Sequence, residues 1–229
     1  MISSNPNVSS PNVSSPDISP TRNVASIRRF AFLALIGEGV FAAVVLLFHL
    51  IRPEYDIVTR FISEYAVSDP LIAGIAFAGL GLGGMALAKA LTQALAKEHR
   101  SQIGLLLLWI FGVCGVGVGL FPADEFPTVN PPSWHGIIHA FFGVIGFFCF
   151  SLGSLLVSFR LRQAPLWRKD AALLTALAGL CLIFFFMFYG GLPVVGLIER
   201  IYAALIVAWI GVVSWRLISR TPPSGAEQA

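Results

Sequence analysis

The chain has 229 residues, of which 56% are hydrophobic and 12% charged, and its mean hydropathy is +0.81. Soluble domains carry roughly 25% charged residues, so this balance excludes a soluble globular protein. The formal net charge of +3 is scattered over the gaps between apolar runs and forms no basic stripe with interleaved aromatics, which excludes a nucleic-acid surface.

Residues 1–27 read as a disordered tail. Asn-Val-Ser-Ser-Pro stands at 7–11 and again at 12–16, a polar, proline-punctuated repeat that cannot bury a core. Asn7 and Asn12 match the glycosylation acceptor pattern, but the orientation derived below places them on the wrong side of a membrane. The first apolar run begins too late and is too long for a signal peptide, so it reads as a retained span.

Six apolar runs follow, at Phe30–Ile51, Leu71–Leu91, Ile103–Phe121, Gly136–Phe159, Ala171–Tyr189 and Leu197–Ile218. Each approaches or exceeds the roughly 20 residues that span a bilayer core as a helix. The expected fold is all-α: a six-transmembrane-helix bundle over residues 28–218, a short outer interfacial helix, and a second tail at 219–229. Arginine and lysine set the orientation. Arg22, Arg28 and Arg29 precede span one, Lys89, Lys97 and Arg100 adjoin the second connection, Arg160, Arg162, Arg168 and Lys169 the fourth, and Arg216 and Arg220 the end. Only Arg52, Arg60 and Arg200 fall on the opposite side. The positive-inside rule then makes both termini cytoplasmic in a multi-pass protein of the cell membrane, with basic residues facing anionic lipid.

Within span one, Glu38 stands near the bilayer middle, where an ionisable residue faces the bundle interior. His49 lies 11 residues further on, close to the same helical face. In the first outer connection, Ile57, Phe61, Ile62 and Tyr65 recur at helical spacing from Asp56 onward. Asp56 and Glu64 each stand four residues from Arg60, within ion-pair reach on a helix. Spans two and three contain Gly79 with Gly83 and Gly115 with Gly119, small-residue pairs suited to close helix contact within the chain or to a homo-oligomer. Cys114, Cys149 and Cys181 lie inside apolar runs, where a thiol acts as a small hydrophobe, and indicate no disulfide framework.

The third outer connection carries the sharpest signal. Asp124 follows span three, and span four opens with Trp134-His135-Gly136-Ile137-Ile138-His139. Imidazoles at i and i+4 share one helical face and reach a common metal ion, with zinc the natural occupant and Asp124 a third ligand or an acceptor that fixes a tautomer. The alternative is a metal-free, hydrogen-bonded polar cluster. Glu199 and Arg200 at the mouth of span six add a further charged pair on the same side.

Ile62-Ser63-Glu64-Tyr65, Gly119-Leu120-Phe121-Pro122-Ala123-Asp124, His135-Gly136-Ile137-Ile138-His139 and Gly196-Leu197-Ile198-Glu199-Arg200 resemble the signature segments of the domain-of-unknown-function 998 family, over about residues 30–218. The resemblance implies six membrane helices and highlights Ser63, Glu64, Asp124, His139 and Arg200; His49 and His135 are less typical of the pattern. A looser likeness, through Ser, Asp and HxxxH, is to the alkaline ceramidases and progestin/adiponectin receptors, which are membrane hydrolases. Three functional expectations follow. One is a membrane protein that binds or moves a lipid or small solute through its outer polar site, with Arg60, Arg200, Glu199 and His49 contacting the ligand and Glu38 exchanging protons. The second is a metal-dependent lipid or headgroup hydrolase with Asp124, His139, Ser63 and Glu64 as its catalytic set and His135, His139 and Asp124 as ligands. A structural partner for other membrane proteins, joined through the glycine faces, is the third.

Overall fold

The computed structural model describes residues 23–125 and 131–220. Of the tails expected at 1–27 and 219–229, residues 1–22 and 221–229 lie outside the described residues, whereas residues 24–27 and 219–220 belong to the first and last helices. Seven α-helices follow one another: α1 (Val24–Ile51), the one-turn α2 (Tyr65–Ser68), α3 (Pro70–Ala94), α4 (Gln102–Leu120), α5 (Trp134–Leu161), α6 (Ala171–Phe188) and α7 (Val195–Arg220). All but α2 are long and apolar enough to cross a membrane, and each corresponds to one of the six apolar runs. The first begins earlier than its apolar run, because Asn23 accepts the Ser26 N–H at 3.0 Å and so satisfies an orphan donor of the first turn. Ser101 and Ser133 cap α4 and α5 in the same way, accepting from Gly104 and Gly136 at 3.1 and 3.0 Å. Pro70 opens α3 at the position where its missing N–H costs nothing.

Helices adjacent in the chain pack side by side, and α7 returns to α1. It also touches α3 and α6 and hydrogen-bonds to α5, so it forms the inner staff of the bundle. Tyr202, Ile206, Trp209, Ile210 and Val213 on α7 are fully buried. Phe32, Leu46, Leu71, Ile103 and Phe141 point outward, an apolar surface matched to hydrocarbon.

Glycine lets the first helices touch backbone to backbone. A Cβ on Gly37 of α1 would fall on Gly79 and Gly83 of α3, one on Gly74 on Gly119 of α4, and one on Gly81 on Gly112 and Gly115. The small-residue pairs therefore serve close packing inside one chain. Between α5 and α7 the joint is polar instead: the Tyr202 hydroxyl donates to the Phe147 carbonyl at 2.7 Å and meets Ser151 Oγ at 2.6 Å, and Trp209 Nε1 donates to Ser158 Oγ at 3.0 Å.

The first connection is folded back over the bundle, and its helix starts later than Asp56. Asp56 Oδ1 accepts the amides of Val58 and Thr59 at 3.0 and 2.8 Å and the Thr59 hydroxyl at 2.9 Å. Together with the Arg60 N–H on the Asp56 carbonyl at 2.9 Å these bonds close one capped turn that does not propagate, and helical geometry begins only at Ile62, as a single 3₁₀ turn leading into α2.

Candidate functional site

The ends of the helices remote from both termini carry two polar clusters with a cavity beneath them. The first is built on Arg200, one turn into α7. Its Nε donates to His49 Nε2 of α1 at 2.8 Å, its Nη1 to the carbonyls of Arg60 and Gly196 at 2.7 and 3.0 Å, and its Nη2 reaches the Tyr65 hydroxyl at 3.4 Å. His49 Nδ1 faces the Val45 carbonyl at 2.6 Å, so Nδ1 carries the proton and Nε2 is the acceptor. Arg200 thus ties α1, the 52–69 segment and α7 together. Gly196 permits this contact, since a Cβ there would strike the Arg60 backbone. Leu197 N–H also donates to the Val58 carbonyl at 3.1 Å.

The carboxylates around this joint are each engaged. Glu64 is fully buried, accepts the Phe61 amide at 2.7 Å and pairs with Arg60 Nη1 at 2.8 Å. Arg60 Nη2 stands 3.6 Å from Glu125. Arg52 grips Asp69 at the start of α3, Nη2 to Oδ2 at 2.6 Å, which holds the Asp69 carboxyl below its ordinary range. The buried Glu199 accepts the Ile62 amide through Oε2 at 2.5 Å.

The second cluster joins α4 to α5. Ser133 Oγ donates to Asp124 Oδ1 at 2.5 Å and Ser133 N–H to Oδ2 at 2.9 Å. These bonds keep the Asp124 carboxyl charged and below its ordinary value, beside the N-terminus of α5, where a negative charge is favoured. His139 Nδ1 donates to the Phe121 carbonyl at 2.7 Å and His135 Nδ1 to that of Pro122 at 3.0 Å. Both rings therefore serve acceptors at the chain's exit from α4, where helix-end carbonyls lack intrahelical partners.

The metal expectation gains no support. Asp124 Oδ1 lies 3.9 Å from His135 Nδ1, and that nitrogen and the matching one of His139 point at carbonyls. No three His, Cys, Asp or Glu side chains among the described residues form a group able to hold a metal. Ser133 Oγ, already committed to Asp124, Gly136 and His135, is a cap and not a nucleophile.

Below the two clusters lies a cavity of about 440 Å³, within the roughly 300–1,000 Å³ of small-molecule sites. Ser63, Asp124, Glu125, His139 and Glu199 supply its polar wall. Phe77, Leu80, Phe111, Cys114 and Val118 line the part reaching into the bundle. Phe111 is nine residues before Leu120, about 14 Å along the axis of α4. Gly143 of α5 borders the space, with nothing within 4 Å of where its Cβ would stand. Ser63 makes no side-chain hydrogen bond among the described residues. Neither Arg60 nor Arg200 lines the cavity: Arg200 is turned toward His49 and the backbone, and Arg60 toward Glu64 and Glu125. Glu38 is buried elsewhere, against Gly83 of α3, and neither of its oxygens has a hydrogen-bond partner among the described residues.

Sequence reasoning missed Ser133, Glu125, Tyr65 and Gly143. Ser133 had a visible sign, a serine directly before an apolar run; the others acquire roles only when distant segments meet.

The fold and the site define a multi-pass helical membrane protein with a cavity at one end of its bundle. The family model described as "Protein of unknown function (DUF998)" matches residues 35–216, and the chain belongs to that family. No curated protein and no solved structure matches it, so the looser likeness to ceramidases and progestin/adiponectin receptors gains no support.

Proposed function

We propose that this protein binds a lipid or lipid-like amphiphile in the cavity, drawn from the extracytoplasmic face of the cell membrane, as a carrier or receptor site. The observation that carries this reading is the cavity's two-part wall: carboxylates, a serine and a histidine at the bundle end, aromatic and aliphatic side chains within. An alkyl chain lying along α4 replaces void by dispersion contacts, while its head meets the polar groups. The basic residues gathered at the other end support cytoplasmic termini, and hence a cavity opening outward.

Native mass spectrometry of the protein released from membranes tests the reading. Wild type should carry a stoichiometric amphiphile, and Gly143→Leu, which fills the cavity from an unobstructed position, should lose it with little change in melting temperature. Equal adducts in both proteins, or none in wild type, would overturn it. For the orientation, a cysteine replacing Glu54 in a cysteine-free background should react with an impermeant maleimide on intact cells, and one replacing Gln163 should not; the reverse pattern would refute an outward-facing site.

A further inference from the structure

Glu199 is 4% exposed, yet it borders the cavity. One of its oxygens takes the Ile62 amide; the other has no partner among the described residues. That oxygen opens on a space large enough for a ligand. Among the described residues the remaining ionisable lining groups are Cys114, Asp124, Glu125, His139 and Tyr189. No lysine or arginine is among them. Arg60 is divided between Glu64 at 2.8 Å and Glu125 at 3.6 Å, and Arg200 is turned to His49, Tyr65 and two carbonyls, so that neither guanidinium forms an ion pair with Glu199 among the described residues. Beside Glu199 the wall is aromatic: Phe61 and Phe147 each meet Phe188 edge to face, with ring centroids 5.5 and 5.7 Å apart. Carboxylate together with aromatic rings is the surroundings that favour an alkylammonium group, through charge and through the ring quadrupole.

We infer that the amphiphile is a single-chain cation whose ammonium head rests between Glu199 and the Phe61, Phe147 and Phe188 rings, with its alkyl chain directed toward Phe111 and Cys114. This rests on the cavity reading above and names the ligand class for it. An anionic headgroup would meet three carboxyl groups there and no guanidinium or ammonium, since both candidate arginines are engaged elsewhere.

The experiment compares four ligands with one chain length, hexadecylamine, hexadecyltrimethylammonium, hexadecanol and hexadecyl sulfate, bound to full-length protein in neutral maltoside micelles. Binding is counted as the excess over Gly143→Leu, which removes micelle partitioning. Wild type should prefer both ammonium compounds to hexadecanol by about tenfold or more, with the sulfate weakest. Glu199→Gln, which keeps the acceptor for the Ile62 amide, should abolish that preference and leave hexadecanol binding unchanged. Equal affinity of wild type for all four, preference for the sulfate, or an ammonium preference that survives in Glu199→Gln would overturn the inference while the cavity reading stands. Should Glu199→Gln fail to fold, the wild-type order decides alone. If no hexadecyl compound binds wild type in excess of Gly143→Leu, the cavity reading falls and this inference falls with it.

Discussion

Glycine does opposite things in the two halves of this bundle. Along α1, α3 and α4, Gly37, Gly74 and Gly81 remove side chains where another backbone arrives, so the absent Cβ becomes helix contact. On α5, Gly143 removes a side chain where nothing arrives, and the absence becomes part of the cavity. Composition alone does not distinguish the two. What decides is whether the facing position also carries a small residue: Gly81 faces Gly112 and Gly115, whereas the space beside Gly143 is framed by large side chains such as Phe77 and Phe111 held apart from it. One half is arranged for rigidity, and the other leaves room for something else.

The largest expected effect tests this contrast head on. Gly81→Ala puts a methyl group onto the Gly112 carbonyl and should lower stability by about 3 kcal/mol or more, at the upper end of overpacking costs. Gly143→Ala should change it by less than about 0.5 kcal/mol. Thermal unfolding in detergent measures both, and similar losses would erase the distinction between the halves. Arg200→Met comes next. It removes the donor shared by His49, Tyr65 and two carbonyls, and should cost about 2–3 kcal/mol through acceptors left unsatisfied. A silent Arg200→Met would show that the 52–69 segment is held down by other contacts.

Asp124→Asn should cost less than Gly81→Ala or Arg200→Met and show a distinctive pH dependence. Because the native carboxyl titrates below its ordinary value, its contribution is fully present above that ordinary value and is lost as pH falls through the depressed one. Wild type should therefore exceed Asp124→Asn by about 1 kcal/mol near neutrality, and the difference should close in acid. A gap that stays constant down to the acid range would mean that the charge on Asp124 contributes nothing to the α4–α5 joint.

The six spans were legible because apolar runs of that length have few other solutions, and Glu199 and Arg200 near the last of them did not obscure it. The proximity of Asp124 to His135 was also legible, through the short connection and the i, i+4 spacing. The partners of the histidines were not, because the carbonyls of Phe121 and Pro122 compete for Nδ1 and carbonyls leave no mark in a sequence. Asp56 misled for a related reason: its side chain closes a turn on its own backbone where the apolar spacing suggested a helix. The Ser151–Tyr202 and Ser158–Trp209 bonds went unseen since serine within an apolar run reads as one more small residue, and each partner lies 51 positions away. Ser63, Glu199 and Gly143 come from three different segments, so the cavity they share exists only in the folded bundle.

The central claim is that an alkyl chain occupies the space between α3, α4 and α5. It is tested most directly by photolabelling with hexadecylamine carrying a diazirine at the end of its chain, followed by peptide mapping of the adducts. The account predicts saturable labelling centred on Phe111, Cys114 and Gly115, abolished by Gly143→Leu. Labelling confined to lipid-facing residues such as Leu120 and Phe141, and unaffected by Gly143→Leu, would contradict it.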